Sequence, residues 1–206
     1  GVQEHVMHQA AELRRRGHDV TVLTPRPRGH DDQPVPDGVV FVGGSARIKT
    51  PSATSGDVSV TIEVDAVDAE LAKGYDVIHV HEPAIPLLAR QLLPRVHCLR
   101  VGTFHAALPG NTLGRSLISS YRAYFKSIMP HIDVITAVSP AAIGYIENIV
   151  EPDAIRYIPN GISLEKITAP VGSTRNQKQI FFIGRLEKRK GALYTIKAFS
   201  LLKQRP

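Results

Sequence analysis

The stretch DVIHVH, residues 76–81, alternates apolar and polar side chains and is rich in β-branched residues, which is typical of a half-buried strand. HCLRVGTF (97–104) and DVITAV (133–138) have the same character, and residues 84–93 between the first two have a helical pattern. Strands that alternate with helices predict a parallel sheet with helices on its faces, and ligands bind such a sheet at the carboxyl ends of its strands.

The same alternation extends in both directions along the chain. Further strands are predicted at 19–24, 38–42, 154–158 and 179–183, and further helices at 2–13, 61–73, 112–129, 140–149 and 191–203. The predicted fold class is therefore α/β, with a Rossmann-like, doubly wound parallel sheet followed by the start of a second Rossmann-like domain.

A segment without apolar periodicity, APVGSTRNQK at 169–178, is typical of a linker. We expect a first domain at 1–168, the linker at 169–178, and the first strand and helix of a second domain at 179–206. Because one strand and one helix cannot bury both faces of a sheet, we expect the second domain to be truncated in this chain. The sequence opens inside an amphipathic pattern at Gly1, so we also expect that the native N-terminus lies further upstream.

The net charge of +6 is concentrated near the end of the chain. Residues 179–206 hold seven of the 25 Lys and Arg and one of the 19 Asp and Glu, which leaves 18 of each sign in residues 1–178. This neutral first domain argues against a nucleic-acid partner. Cys98 is the only cysteine, which excludes an intrachain disulfide and a cysteine-based zinc site and favours a reducing, cytoplasmic location.

The basic residues belong to the motif GRLEKRKG, residues 184–191. A glycine that ends a strand, followed by a helix that starts at Gly191, exposes unpaired backbone N–H groups beside Arg185 and Lys190. That combination binds phosphate groups. The alternative is an ordinary solvated basic turn.

Histidines occupy several positions at the predicted strand ends. His105 follows the strand that ends at Phe104, where a doubly wound sheet keeps its site, although a structural histidine is the alternative. His79 and His81 share one strand face and could form a metal pair, but a loop braced by Glu82 and Pro83 is favoured. His5, like His8, is interpreted as a surface residue of the first helix.

Six motifs in order resemble the GT-B retaining glycosyltransferases of the group 1, family 4 type, most of all the bacterial phosphatidylinositol mannosyltransferases and related lipid glycosyltransferases. They cover nearly the whole chain: GVQEH (1–5), HVHEP (79–83), TFHA (103–106), AVSP (137–140), IPNGI (158–162) and GRLEKRKG (184–191).

The resemblance implies a transfer of mannose or glucose from GDP-mannose or UDP-glucose, which are substrates, so that no cofactor and no metal are expected. Arg185 and Lys190 match the residues that hold the donor diphosphate and stabilise its developing charge, and Gly1 matches a glycine whose backbone approaches the donor. The acceptor side is implied to include His105, Gln3 and Arg47. His105 is expected to contact the reacting sugar and not to act as a general base.

The implied acceptor is a lipid or polyol phosphate, with peripheral contact at the inner face of the plasma membrane. The segment 57–74 has five acidic residues and one lysine, which argues against membrane docking there. The predicted helix 112–129 could dock in its place, although a core helix with a solvated basic face is favoured. Two other functions stay open: transfer to a soluble or polysaccharide acceptor, and a non-catalytic module that binds polyanions or nucleotides. The chain by itself is expected to be inactive.

Overall fold

The computed structural model describes residues 1–29, 34–49, 55–107, 122–144, 146–164, 179–184, 186 and 190–203. Its seven strands are β1 (Val22–Arg26), β2 (Val39–Lys49), β3 (Ser55–Ser59), β4 (Val77–His81), β5 (Leu99–Phe104), β6 (Val134–Ala137) and β7 (Ile155–Tyr157). The helices are α1 (Val2–Arg15), α2 (Val64–Leu71), α3 (Pro86–Leu92), α4 (122–128) and α5 (Ala192–Lys203). Short 3-10 turns span Met129–His131, Pro140–Ile143 and Pro152–Ala154.

The strands form two sheets within the described residues. The larger sheet has the order β4-β5-β6-β7 and is parallel throughout. In the smaller sheet, β1 and β2 are parallel and β3 joins β2 in the antiparallel sense. Parallel strands connected through helices confirm the predicted α/β class.

The main hydrophobic core lies on one face of the larger sheet. Phe104 and Ala137 at the ends of β5 and β6 are fully buried there against Phe125 and Ile128 of α4 and Leu93 after α3. A smaller buried cluster of Val42, Val67 and Leu92 packs β2 of the smaller sheet against α2 and α3. The predicted strands 76–81, 97–104 and 133–138 therefore supply the core, as their alternation indicates.

The structure differs from three of the sequence predictions. Strand β3 was not predicted, because Ser55–Ser59 lacks the apolar alternation and is held by pairing with β2. The predicted helix at 140–149 begins only as a 3-10 turn, Pro140–Ile143, with Gly144 following it. Residues 179–183 carry no strand, because a strand is stabilised by hydrogen bonds to a neighbour and none pairs with this segment in the described residues.

Arg14 ties α1 to the start of the smaller sheet. Its guanidinium donates to the carbonyl oxygens of Val20, at 2.5 and 3.0 Å, and of Gly38, at 3.0 Å. Gly38 has a φ of +66°, and a Cβ atom there would lie 2.3 Å from Arg14 Nη2. The glycine is therefore required both by the backbone conformation and by the arginine.

We expect Arg14→Ala to lower the free energy of unfolding by about 1–3 kcal/mol, because it removes donors from two partly buried carbonyl groups. Chemical denaturation of the chain measures this. Arg15→Ala is the matched control, since Arg15 is exposed and pairs with Glu12 at the surface, and should change stability much less. Equal effects of the two changes would contradict a specific role for Arg14.

Candidate functional site

Polar side chains cross the larger sheet in a row on the face opposite the main core. The register pairs His81 with Thr103 and Thr103 with Thr136. His79 Nε2 lies 2.6 Å from Thr103 Oγ1, and Thr103 Oγ1 lies 2.5 Å from Thr136 Oγ1. Both threonines are 5% exposed, so this row is a buried, hydrogen-bonded support beneath the strand ends.

Three histidines meet above this row. His81 ends β4, His105 directly follows β5, and His5 lies in the first turns of α1. His81 Nδ1 is 3.0 Å from His105 Nε2. The ring of His5 has its centroid 5.5 Å from that of His81 and 5.2 Å from that of His105. We call His5, His81 and His105 the three-histidine cluster.

The histidines are held largely uncharged by their surroundings. Burial, followed by the neighbouring imidazoles, lowers the pKa of His81 to about 3, and burial with the His5 charge lowers the pKa of His79 and of His105 to about 4. The pKa of His5 is also lowered, first by burial and then by His8. At neutral pH these rings are therefore hydrogen-bonding groups and not cations.

Glu82 fixes the turn that carries His105. Its carboxylate oxygen Oε2 accepts hydrogen bonds from the backbone N–H groups of His105, at 3.1 Å, and Ala106, at 2.8 Å. Glu82 has a positive φ of 56°, which is uncommon for a residue other than glycine, and its own N–H donates to Thr103 O. The prediction of a loop braced by Glu82 is confirmed, and the brace connects β4 to the residues after β5.

The second carboxylate oxygen of Glu82, Oε1, is buried and has no hydrogen-bond partner among the described residues. Burial raises the pKa of this carboxyl group, and the two backbone hydrogen bonds oppose that rise. The positive φ and the burial of the carboxyl group are both unfavourable on their own. The two hydrogen bonds to the backbone of residues 105 and 106 are what this placement of Glu82 makes possible.

The predicted site residues fall into separate groups. Gly1 precedes α1 in open space, since a Cβ there would meet no atom within 4 Å, and Gln3 is exposed on the same helix end. His105 lies at the expected carboxyl edge of the sheet. Arg47 belongs to β2, opposite Asp57 of β3 in the ladder. Arg185 lies outside the described residues.

Lys190 is exposed, and Gly191 separates it from the start of α5 at Ala192. Gly191 has a φ of +79°, and its carbonyl accepts both the backbone N–H of Thr195, at 3.0 Å, and the Thr195 hydroxyl, at 3.2 Å. The helix therefore starts where the motif GRLEKRKG predicts, with its N-terminal N–H groups next to Lys190. This local geometry is suited to an anion.

His5 is the site residue that sequence reasoning missed. It was interpreted as a surface residue, but the structure places it half-buried against His81 and His105. The available signal was its position three residues after Val2, at the border of the apolar stripe of α1. His8 is exposed, as predicted.

The structure also bears on metal binding. His79 Nε2 is engaged by Thr103, so the pair His79 and His81 considered from the sequence does not offer two free ligands on one side. The three-histidine cluster is a different grouping, in which one ring nitrogen from each residue lies within 4.8 Å of those of the other two. No metal was expected from the sequence, and this grouping depends on His5.

The fold and this site define a class: a Rossmann-like α/β domain whose polar groups gather at the carboxyl ends of β4 and β5. The profile of glycosyltransferase family 4 matches residues 1–166, and the chain belongs to that family.

Curated relatives point in the same direction. The chain is 31% identical to a phosphatidyl-myo-inositol mannosyltransferase of Mycolicibacterium smegmatis, over 98% of this chain and 52% of the relative. Proteins of the same name from Mycobacterium tuberculosis and Mycobacterium leprae are 29% and 30% identical, over 100% and 93% of this chain and 53% and 50% of those proteins. The chain thus spans about half the length of the curated relatives it matches. Among the described residues, no helix has the length and apolar character needed to cross a membrane.

The depressed histidine pKa values predict a stability that falls in mild acid. Below pH 6.5 the unfolded chain takes up protons that folded His79, His81 and His105 bind only near pH 3–4, so unfolding becomes easier as the pH decreases from about 7 to 5. Glu82 contributes in the opposite direction, because burial raises the pKa of its carboxyl group in the folded chain.

Denaturation at pH 7 and pH 5, in buffer with a chelator, measures this loss. In His79→Gln, which keeps a side-chain hydrogen-bonding group near Thr103 but does not titrate, the loss between the two pH values should be smaller. An identical loss in the variant and the parent chain would show that His79 is not a source of the pH dependence.

Removing the Glu82 brace should loosen the turn at His105. We expect Glu82→Ala to cost about 1–3 kcal/mol of stability, because the N–H groups of His105 and Ala106 lose their acceptor. Glu82→Gln, which retains one carbonyl acceptor, should cost less. Hydrogen exchange of the two amides provides the local measurement, and protection unchanged in Glu82→Ala would contradict the brace.

Proposed function

We propose that the complete protein is a retaining glycosyltransferase that moves a hexose, mannose or glucose, from a nucleotide sugar to a membrane lipid headgroup such as phosphatidylinositol. The main support is membership of glycosyltransferase family 4, together with relatives named phosphatidyl-myo-inositol mannosyltransferase. The position of His105 at the carboxyl ends of the strands supports it independently, because such sheets bind ligands at that edge.

On the donor side, Arg185 and Lys190 would bind the diphosphate of the sugar nucleotide. Cleavage of the bond between sugar and phosphate leaves negative charge on the β-phosphate, and fixed cations that stabilise this charge lower the barrier. The start of α5 directly after Gly191 adds backbone N–H donors. Gly1, which has open space around it, would let the α1 end approach the same donor.

On the acceptor side, His105 would hydrogen-bond a sugar hydroxyl and help position the acceptor. A pKa of about 4 makes its ring a weak base, so a role in hydrogen bonding suits it better than proton abstraction. The leaving phosphate would then accept the proton of the acceptor hydroxyl. Gln3, exposed on α1, and Arg47, in β2, would contact the phosphorylated headgroup.

The proposed lipid acceptor also indicates where in the cell the protein acts. A nucleotide sugar and a lipid headgroup meet at the inner face of the plasma membrane, so we infer a cytoplasmic protein with peripheral membrane contact there. The predicted helix 112–129, for which a core position is favoured over a docking surface, lies mostly outside the described residues. No cofactor and no nucleic-acid partner are part of this proposal.

Transfer assays on the full-length protein test the proposed function. Labelled GDP-mannose or UDP-glucose is offered with vesicles that contain phosphatidylinositol, and a labelled glycolipid is the expected product. Transfer only to soluble sugars or polysaccharide would replace the lipid acceptor, and no transfer with any nucleotide sugar would contradict the enzyme assignment. The present chain of 206 residues should show no turnover in the same assay.

The cluster at 184–191 provides a more specific prediction. In the full-length enzyme, Arg185→Ala and Lys190→Ala should each lower kcat by roughly 10²-fold, because each removes charge stabilisation felt mainly in the transition state. Lys188→Ala removes one positive charge, as the other two substitutions do, and should lower kcat much less. Three equal effects would mean that the cluster acts only as a diffuse basic surface.

A further inference from the structure

We propose that the three-histidine cluster is a binding site for a divalent transition metal, with Zn²⁺ as the best-suited ion. The site would use one ring nitrogen each from His5, His81 and His105. It goes beyond the proposed transfer reaction, which needs no metal.

The spacing of the ring nitrogens is close to that of a tetrahedral site. Zinc–nitrogen bonds of about 2.0–2.1 Å at tetrahedral angles place two ligand nitrogens about 3.3–3.4 Å apart. His81 Nδ1 and His105 Nε2 are 3.0 Å apart, and all three nitrogens lie within 4.8 Å of one another. Metal binding would therefore replace the contact between His81 Nδ1 and His105 Nε2 and bring the three nitrogens to tetrahedral spacing.

Two of the three ligands are held in place before any metal arrives. His81 and Thr103 are neighbours in the β4–β5 ladder, and His105 follows two residues later. The Glu82 carboxylate fixes the backbone of His105 from below. His79 packs on His81 with ring centroids 4.1 Å apart, while its own Nε2 is engaged by Thr103. His81 and His105 would thus be two fixed ligands, and His5 of α1 would be the ligand that adjusts.

The chemistry of the ligands selects the ion. Three imidazoles without a carboxylate suit Zn²⁺, Cu²⁺ or Ni²⁺, whereas Mg²⁺ and Ca²⁺ require oxygen ligands. Three nitrogen ligands leave a fourth tetrahedral position for water or another oxygen ligand. The cluster residues are partly exposed, so an ion in solution has access to them.

Metal binding would engage the ring of His105, which we propose to contact substrate. This consequence rests on the proposed function: zinc would hold that ring and the full-length enzyme would be inhibited. Binding itself does not rest on it and can be measured on the present chain, so the two ideas can fail separately.

Titration of the untagged chain with Zn²⁺ by calorimetry, and with Co²⁺ by visible absorption, tests the site. We expect one ion per chain and the intense visible bands of tetrahedral Co²⁺. His5→Ala and His105→Ala should each weaken binding at least about tenfold, since each removes one of three ligands. Mg²⁺ should give no signal.

His97→Ala is the matched control, because His97 is exposed and precedes β5, at the opposite end of the strand from His105. The affinity of the His97→Ala chain for zinc should equal that of the parent chain. His5→Gln, checked for an unchanged circular dichroism spectrum, separates loss of a ligand from loss of fold. Absence of zinc binding at micromolar concentration, or equal binding by the parent chain, His5→Gln and His97→Ala, would overturn the proposal.

Inhibition is then measured with the full-length enzyme, where zinc should lower transfer and a chelator should restore it. Undiminished transfer at a zinc concentration that saturates the parent chain would overturn the inhibitory consequence.

Discussion

The parallel pairing of β4 with β5 is the constraint on which the site depends. It places His81 beside Thr103, so that the carboxyl ends of both strands reach the same edge of the sheet. Glu82 then uses this proximity, since its carboxylate accepts the N–H groups of the two residues that follow β5. The positive φ of Glu82 and the burial of its carboxyl group are both unfavourable, and in return the carboxylate fixes the position of the His105 backbone.

The two faces of the larger sheet differ in chemistry: one packs against the apolar core, and the other carries the polar row beneath the histidines. Phe104 and Ala137 point into an apolar core, while Thr103 and Thr136 on the neighbouring positions form the polar row under the histidines. One face of this sheet is apolar, and the opposite face is polar near the carboxyl ends of the strands. Imidazoles on the polar face can therefore be largely desolvated without being fully covered. This explains how His81 and His105 have strongly lowered pKa values and are still partly exposed.

Sequence reasoning reached the parallel strands and His105 because both leave local signals: apolar alternation along a strand, and a polar residue directly after it. It missed β3 and the position of His5 beside His81 and His105, since neither follows from local pattern. Ser55–Ser59 is a strand through its pairing with β2, and His5 reaches the site only because α1 crosses the strand ends. Conversely, the apolar run at 179–183 predicted a strand that lacks a pairing partner here, and none of the described side chains of α5 is buried. The role of Arg185 stays a prediction.

The assignment of His105 as a substrate contact is tested most directly by His105→Ala in the full-length enzyme, with melting temperature, nucleotide affinity and sugar transfer measured on the same variant. The account predicts a nearly unchanged melting temperature, nucleotide affinity close to that of the parent, and strongly reduced transfer, because in the proposed site the imidazole would contact the reacting sugar while the diphosphate would be held by Arg185 and Lys190. A stable variant with undiminished transfer would contradict it.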